Sequence, residues 1–296
     1  MITVTVLAVL FTFASMTRAA HAPVGLGTAD TFAVLGGTTV TNTGLTVISG
    51  DLGVSPGSAV TGFPPGLVNN GSIHAANAVA TQAQSDLTTA YNDAAGRTCP
   101  SPSNLTGIDL GTQTLTDGTY CFSSSAQLTG TLTLDGQNNP NAVFIFQIVS
   151  TLTTASASTV SLINGAQACN VYWQVGSSAV LGSTTTFRGS ILALTSISLN
   201  TGATIVEGRA LARNGAVTLD TNTITRDTCR TAFPAPTAAP TTAPSATPAP
   251  VTAVPNTGVA ETIDAGGDKL ILVGIAAGLV GLFALTLLRR QFVRGA

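Results

Sequence analysis

Residues 170–220 read NVYWQVGSSAVLGSTTTFRGSILALTSISLNTGATIVEGRALARNGAVTLD, a series of short apolar runs separated by Gly, Ser and Asn. Such runs, rich in β-branched and aromatic residues, are typical of short strands. Trp173, Leu192 and Leu211 recur 19 residues apart. A second series, with offsets of 18 and 20, consists of LGSTTTF from Leu181, LNTGATI from Leu199 and LDTNTIT from Leu219. A period near 20 predicts an all-β solenoid with one coil per repeat. A sheet-on-sheet barrel is the alternative, but it leaves the repeat unexplained.

One segment departs from the strand pattern. Residues 72–97, SIHAANAVATQAQSDLTTAYNDAAGR, contain no proline and no β-branched run. Their apolar residues follow the i, i+3, i+4 spacing of one helix face. The members of this stripe are Ala76, Val79, Ala80, Ala83, Leu87, Ala90, Tyr91 and Ala94. We predict one long amphipathic helix over about residues 73–95, ended by Gly96 and lying along the solenoid.

The composition excludes several classes of protein. Only 8% of residues are charged and the net charge is −2, whereas an ordinary globular protein has about 25% charged residues. Nucleic-acid binding needs a basic stripe, and the ten arginines and one lysine form none. Disorder through high net charge is excluded as well, since 44% of residues are hydrophobic. With 48 threonines, the surface is polar mainly through uncharged side chains.

The four cysteines predict disulfides rather than a metal site. Their spacing shows neither a CxxC motif nor a histidine partner, and His21 and His74 are the only histidines. In an exported chain, an even number of cysteines suggests two disulfides, for which three pairings are possible. We favour Cys99–Cys121, which closes the excursion after the helix, and Cys169–Cys229, which ties the first strong repeat to the last.

Both ends of the chain are predicted to lie outside the folded domain, residues 23–230. Residues 1–22 hold an apolar run and an A-x-A site at Ala20–Ala22, which favours a signal peptide. No basic residue precedes that run, and Pro23 would follow the cut. Residues 231–253 are rich in Pro, Ala and Thr and predict an extended linker.

The C-terminal segment predicts an anchor. Residues 270–288, LILVGIAAGLVGLFALTLL, carry no charge and are long enough to cross a bilayer. The basic tail, residues 289–296, places the C-terminus in the cytoplasm and the preceding domain outside. The motif VPNTG at residues 254–258 resembles the LPxTG signal at which a sortase attaches surface proteins to the cell wall, with Val254 in place of Leu. A membrane anchor and sortase attachment to the wall both remain open.

Catalytic signatures are weak. The conceivable pairs of a carboxylate and a cation are Glu207 with Arg209 and Asp220 with Arg188, and solvated ion pairs are the simpler interpretation. No GxSxG, P-loop or dinucleotide motif occurs. We therefore predict no enzyme, no cofactor and no metal.

Threonine beside a small residue recurs between the predicted strands. Thr is a good strand residue in any sheet, but stacked coils would also align these side chains in rungs about 4.8 Å apart. A flat, uncharged and rigid array of methyl and hydroxyl groups can hold ordered water. The candidate residues are Thr43, Thr46, Thr129, Thr131, Thr154, Ser156, Thr184, Thr186, Thr201, Thr204, Thr221 and Thr223.

Three segments resemble the microbial ice-binding protein family: residues 143–220, 32–57 and 88–97. The resemblance implies an irregular triangular right-handed β-helix with one long α-helix alongside and with the N-terminal chain stacked out of sequence order. It also implies an ice-binding face with loosely kept T-A/G-x-T/N motifs. Thr43–Thr46 and Thr201–Thr204 match this motif fully, whereas Thr129–Leu132 and Thr154–Ala157 match it in part.

The leading hypothesis is non-enzymatic adsorption to an ice crystal by a domain tethered outside the cell through its C-terminus. The expected partners are the ice surface, the membrane through the C-terminal helix, and a sortase and the cell wall. A cell-surface adhesin or wall spacer that binds glycan or protein is the rival hypothesis. A polysaccharide lyase or hydrolase is a third, for which the sparse carboxylates offer little.

Overall fold

The computed structural model describes residues 21–226, which form a mostly β domain with parallel sheets and one long helix, α1 (Ala78–Gly96). Short 3-10 turns are η1 (Gly27–Thr31), η2 (Ser101–Ser103) and η3 (Ala168–Asn170). The strands are β1 (Phe32–Gly36), β2 (Thr39–Thr43), β3 (Val47–Ser49), β4 (Asp51–Val54), β5 (Ala59–Thr61), β6 (Leu67–Asn69), β7 (Ile73–Ala75), β8 (Thr114–Leu115), β9 (Gly118–Phe122), β10 (Ala126–Leu128), β11 (Thr131–Asp135), β12 (Phe144–Ile148), β13 (Leu152–Thr154), β14 (Thr159–Ile163), β15 (Val171–Val175), β16 (Ala179–Leu181), β17 (Thr186–Ala193), β18 (Ile197–Leu199), β19 (Thr204–Ala212), β20 (Val217–Asp220) and β21 (Thr223–Thr225).

The strand pairings divide the domain into three faces. The threonine face runs in the order β8, β11, β14, β17, β19, β21, β3, β6. The helix face joins β9, β12, β15, the second halves of β17 and β19, β1, β4 and β7. The seven-stranded face runs β10, β13, β16, β18, β20, β2, β5. Parallel pairing throughout these faces is consistent with the expected stacked coils and does not fit an antiparallel sandwich.

Eight coils follow from these pairings, and they are not stacked in sequence order. Coils 1 to 5 run from β8 to β20. Coil 6 combines β21, from the end of the described chain, with β1 and β2, from its beginning. Coil 7 holds β3, β4 and β5, and coil 8 holds β6 and β7. The N-terminal coils are therefore stacked on the C-terminal ones, as the family resemblance implied.

An ion pair with a buried cation and an exposed carboxylate lies where the N-terminal coils meet the C-terminal ones in the described residues. The guanidinium of Arg209, only 2% exposed, donates to the carboxylate of Asp30 at 2.8 Å and to its carbonyl at 2.9 Å. It also donates to Ser190 Oγ at 3.3 Å. These bonds connect η1 to β19, because a buried charge is tolerated only when it is paired and hydrogen-bonded.

The interior of the coils is filled by stacked apolar side chains. Four aromatic rings follow one another across coils 1 to 4: Tyr120, Phe146, Trp173 and Phe187. The Phe146 and Trp173 rings stack with centroids 3.9 Å apart, and the Trp173 indole N–H donates to the Arg188 carbonyl at 3.1 Å. This column fixes adjacent coils in register, since rigid rings leave few alternative packings.

The helix covers the helix face, as the apolar stripe predicted. Ala80, Ala83, Leu87, Ala90, Tyr91 and Ala94 are buried. The predicted start at residue 73 is wrong, because Ile73–Ala75 forms β7 and the Asn77 side chain caps the helix by accepting from the Ala80 amide at 2.9 Å. Val79 is 47% exposed and does not belong to the buried stripe. The predicted end at Gly96 is confirmed.

The Cys99–Cys121 disulfide is confirmed. The Cys169–Cys229 pairing stays a prediction, because Cys229 lies outside the described residues. The described residues also exclude several predicted segments of the chain. These are residues 1–20 of the predicted signal peptide (1–22), the linker 231–253, the VPNTG motif 254–258 and the apolar span 270–288. Within residues 21–226, no helix is long and apolar enough to cross a membrane.

Asp86 gives the domain an acid-sensitive contact. The hydroxyl and the amide of Thr28 both donate to its carboxylate at 2.7 Å, joining α1 to η1. The Thr28 hydroxyl and then the Thr28 amide lower the pKa of Asp86 below its ordinary value of 3.8, although burial opposes them. Because the folded pKa is the lower one, the stabilisation is complete above about pH 4 and is lost as the pH falls through the folded pKa.

We expect Asp86→Asn to lower the melting temperature at neutral pH and to flatten its decline as the pH falls below about 4. Thermal unfolding followed by circular dichroism at several pH values measures both effects. Asp93→Asn, which removes an exposed carboxylate paired with Arg97 on the same helix, serves as the control. An unchanged pH profile in Asp86→Asn would contradict the assignment.

Candidate functional site

Five threonines in successive coils stand in register on the threonine face; we call them the threonine column. Its members are Thr131, Thr159, Thr186, Thr204 and Thr223. Neighbouring parallel strands place them about 4.7–4.9 Å apart. The Thr112 amide donates to the Thr131 carbonyl at 2.7 Å, so the backbone of coil 1 continues the column. At the other end, Val47 and Leu67 take the same positions in coils 7 and 8.

Strand alternation explains why these threonines face outward. The residue that follows each of them is an apolar side chain with 0% exposure: Leu132, Val160, Phe187, Ile205 and Ile224. Because successive side chains of a strand point to opposite faces, burying one row presents the other to solvent. The Thr204 hydroxyl also donates to the Thr185 carbonyl of the preceding coil at 3.2 Å, which orients its side chain. The column is therefore a regular and conformationally restricted row.

A repeated left-handed turn lies just before the column in each coil. The residues with positive φ at this turn are Gly130, Ala157, Thr184, Gly202, Thr221 and Gly44, with φ between 53° and 88°. Amide-to-carbonyl bonds link successive turns, for example from Thr184 to Thr201 at 3.1 Å and from Thr221 to Thr43 at 2.9 Å. Gly or Ala takes four of the six positions, because a left-handed backbone crowds Cβ. The turn thus explains the small neighbours of threonine in those four coils, whereas threonine itself takes the position at Thr184 and Thr221.

The structure brings ten of the twelve predicted residues to this region. Thr131, Thr186, Thr204 and Thr223 belong to the column, and Thr184 and Thr221 occupy the left-handed turns. Thr43, Thr129, Ser156 and Thr201 immediately precede a left-handed residue and are exposed. Direct contact of these residues with a ligand stays a prediction.

The other two predicted residues, Thr46 and Thr154, are buried and cannot line a surface. Thr46 is 0% exposed and accepts from the Asn222 amide at 3.0 Å. Thr154 is 3% exposed and lies 2.9 Å from the Thr185 hydroxyl. In coil 7 the strand begins one residue later than the motif suggested, so that Val47 takes the column position. The hydroxyls of Thr46 and Thr154 instead form hydrogen bonds with buried groups inside the coils.

Sequence reasoning missed Thr159 and Thr112. The column residues are separated by 28, 27, 18 and 19 residues, so a period near 20 describes only coils 4 to 6. Coils 2 and 3 are longer because of extra loop residues. The sequence does contain a signal for Thr159, which precedes the apolar Val160 at the end of residues 143–160, VFIFQIVSTLTTASASTV. This signal is recognised only if coils are allowed to differ in length.

The threonine column itself contains no charged residue, and the charged side chains nearby lie at its edges and at the left-handed turns. Arg188 donates to Glu207 at 2.7 Å where β17 and β19 leave the threonine face, and Arg209 pairs with Asp30. In the described residues, the ion pairs of these arginines are therefore Arg188 with Glu207 and Arg209 with Asp30, and not the conceivable pairs Glu207 with Arg209 and Asp220 with Arg188. The Thr201 and Thr221 hydroxyls donate to the carboxylate of Asp220. Among the described residues, no three His, Cys, Asp or Glu side chains converge as a metal site would require.

The seven-stranded face offers a less regular row. Its outward residues in register are Gln127, Thr153, Val180, Ser198, Thr218, Thr41 and Thr61. Four of these seven residues are threonines, three of them consecutive in coils 5 to 7, and Gln127, Val180 and Ser198 interrupt the row. Its unbroken run of threonines is therefore shorter than the threonine column, and the row serves as an internal comparison.

Known proteins share this architecture and sequence. A family model described as Ice-binding-like matches residues 34–225. An ice-binding protein of Nostoc sp. (strain HG1) is 61% identical over 199 residues, which make up 67% of this chain and 72% of that protein. An ice-binding protein of Flavobacterium frigoris (strain PS1) is 37% identical over 216 residues, 68% of this chain and 76% of that protein. The chain therefore belongs to the ice-binding-like family.

Solved structures agree with this assignment. The crystal structure of an ice-binding protein from an Antarctic biological consortium superimposes with a TM-score of 0.67 at 49% identity, over 75% of this chain and 96% of that chain. An ice-binding protein from the Antarctic ascomycete Antarctomyces psychrotrophicus gives a TM-score of 0.67 at 40% identity, over 70% and 100% respectively. The domain thus corresponds to essentially the whole of each of these solved chains.

Proposed function

We propose that the protein binds ice through the threonine face and thereby inhibits the growth of ice crystals. The observation that carries the proposal is the threonine column, in which five side chains of one type stand in register on consecutive strands. Each threonine presents a methyl and a hydroxyl group without a charge that would disturb ordered water. A single contact contributes little, so affinity requires many contacts in register. The surface must also be rigid before it binds, because a rigid surface loses little conformational entropy on binding.

The finer architecture is part of the proposal. We infer an irregular triangular β-helix that is right-handed, because connections between parallel strands of one sheet are right-handed in about 98% of cases. Burial of apolar side chains from three faces makes the coils stiff. A stiff body keeps the threonine face flat while it contacts a crystal.

Ice crystals grown with the purified domain provide the test. We expect faceted crystals and a gap between the melting and freezing temperatures, because adsorbed molecules force the ice front to curve between them. Microscopy on a cooling stage records both quantities. Bovine serum albumin at equal mass concentration is the control for colligative effects. Round, unfaceted discs at high protein concentration would contradict ice binding and favour the adhesin or spacer hypothesis.

We also propose that the domain is held outside the cell by its C-terminus, either in the membrane or on the cell wall. The Pro-rich linker, VPNTG, the uncharged run 270–288 and the basic tail support this placement. An extended linker of about 20 residues would hold the domain roughly 60–70 Å from its anchor. Many copies on one surface would gain avidity from individually weak contacts.

Cell fractionation tests the tether. We expect the intact protein in membrane or wall fractions, and a wall-linked form ending at Thr257 if a sortase acts on the motif. Mass spectrometry of released peptides identifies the terminus. Changing Thr257 and Gly258 to alanine should abolish only the wall-linked form. Recovery of nearly all protein free in the medium, without residues 270–288, would overturn tethering and leave a secreted ice-binding domain.

A further inference from the structure

The two ends of the stack of coils are closed to different degrees. At coil 1, residues 97–113 cross the end, and the inward-facing Leu115 and Tyr120 are only 8% exposed. At coil 8, Ile73 is 45% exposed and Leu67 is 53% exposed. Ile108, within residues 97–113, is 47% exposed as well, but that segment covers coil 1, whereas no described strand pairs with the outer edge of coil 8.

Register shows that this end is an interrupted core. Ile73 stands in register with Leu52 in coil 7, and Val68 with Ile48; both partners are 0% exposed. Ile73 and Val68 therefore occupy inward positions that another coil would bury. The outer edges of β5, β6 and β7 are also unpaired, since each strand has a single partner among the described strands. Such edges are templates for pairing with a further strand.

The charge of this end suits a second copy of the same chain. Residues 52–85, which include β5, β6 and β7, contain no Asp, Glu, Lys or Arg. The nearest carboxylate, Asp51, is engaged by the Ser72 amide at 2.9 Å. A two-fold interface brings identical groups together, so an uncharged apolar patch is self-complementary where a charged one would repel itself. Charged side chains, which protect many natural sheet edges, are missing here, and the edge is limited only by the short length of its strands, three residues each.

The last described residue, Arg226, lies beside coil 7, where its amide donates to the Ser49 carbonyl at 3.1 Å, so the described chain adds no strand to coil 8.

We propose that coil 8 is a homodimerisation surface, at which two copies meet end to end through β6, β7 and their exposed apolar side chains. Ile73, at an inward position, is the central contact that continues both cores, and Leu67, which faces outward in register with the threonine column, lies at the edge of the interface. This association is independent of ice binding.

The test measures mass in solution for residues 21–230, a fragment whose solved counterparts consist of this domain alone. Sedimentation velocity across a concentration series should show a monomer that converts to a species of twice the mass. Ile73→Lys and Leu67→Lys should remain monomeric at every concentration. Val149→Lys, at a side chain 67% exposed in coil 2, is the matched control and should dimerise like the native fragment. Circular dichroism establishes that each variant is folded.

Three results would overturn the proposal. The native fragment could stay monomeric up to its solubility limit, or both lysine variants could dimerise as well as the native one. Alternatively, a longer fragment, residues 21–269, could stay monomeric where residues 21–230 dimerise, which would show that the following segment covers coil 8. Since no ice is present in these measurements, a failure here leaves the proposed function untouched, and the reverse also holds.

Discussion

Thr186→Tyr and Thr204→Tyr are expected to lose nearly all inhibition of ice growth while remaining folded. Both residues lie in the middle of the threonine column, with a column member on either side. A tyrosine ring there stands above the neighbouring methyl and hydroxyl groups and holds the face away from a flat crystal. A loss of only 1.4 kcal/mol of adsorption free energy lowers the binding constant about tenfold, and several contacts are lifted at once. Thermal hysteresis and ice-crystal shape are the measurements.

The matched control for this experiment is Thr218→Tyr. Thr218 is an exposed strand threonine on the seven-stranded face, next to Thr41 and Ser198. The same change in size and chemistry there should leave activity near the native level. Activity lost in Thr218→Tyr but retained in both column variants would place the ice-binding surface on the seven-stranded face. Far-UV circular dichroism and the melting temperature show whether each variant keeps the fold.

Trp173→Ala is expected to cost about 3–5 kcal/mol of folding free energy, as large aromatic truncations in cores do. Trp173 is 0% exposed and lies between the Phe146 and Phe187 rings, with centroid distances of 3.9 Å and 4.9 Å. Its removal opens a cavity between coils 2 and 4 and leaves the Arg188 carbonyl without the indole donor. Domains are stable by only about 5–15 kcal/mol, so the variant should be close to unfolding at 37 °C.

Urea unfolding followed by fluorescence of added dye and by circular dichroism measures this loss. Trp173→Phe should recover part of the stability, because a ring remains in the stack although the indole hydrogen bond is lost. Thr133→Ala, a half-buried position on the threonine face outside the column, should change stability by no more than about 0.5 kcal/mol. A cost below about 1 kcal/mol for Trp173→Ala would mean that the aromatic stack does not hold the coils together.

Local patterns in the sequence were sufficient for the individual elements. The apolar stripe of α1 depends on spacing within one helix, and Gly96 ends that helix where predicted. The 19-residue recurrence is in register for Leu192 and Leu211, which pair in adjacent strands. It is wrong by one residue at Trp173, which pairs with Ile191 and packs inside the coils, whereas Leu192 packs toward the helix. The Cys99–Cys121 pairing also followed from the position of the two cysteines around a single excursion.

Two kinds of error came from the spacing argument. Thr159 was missed because the coils differ in length, and Thr46 and Thr154 were included because they belong to Thr-rich motifs. A slip of one residue moves a side chain from the surface to the core, and register is set by hydrogen bonds to the neighbouring coil. A Thr-rich motif therefore identifies a turn that leads into the threonine face, but it does not identify which of its threonines is exposed.

The amino-acid sequence by itself determined the repeated strands, the helix and its buried stripe, the low surface charge and the family resemblance, because each depends on short-range pattern or composition. Only the tertiary structure decided which threonines form one column, and that coil 6 joins β21 to β1 and β2. It also decided that Arg209 is buried against Asp30 and that coil 8 leaves the core open. These features arise from pairing between segments up to about 180 residues apart, where the register of the whole stack, rather than any local preference, selects the partner.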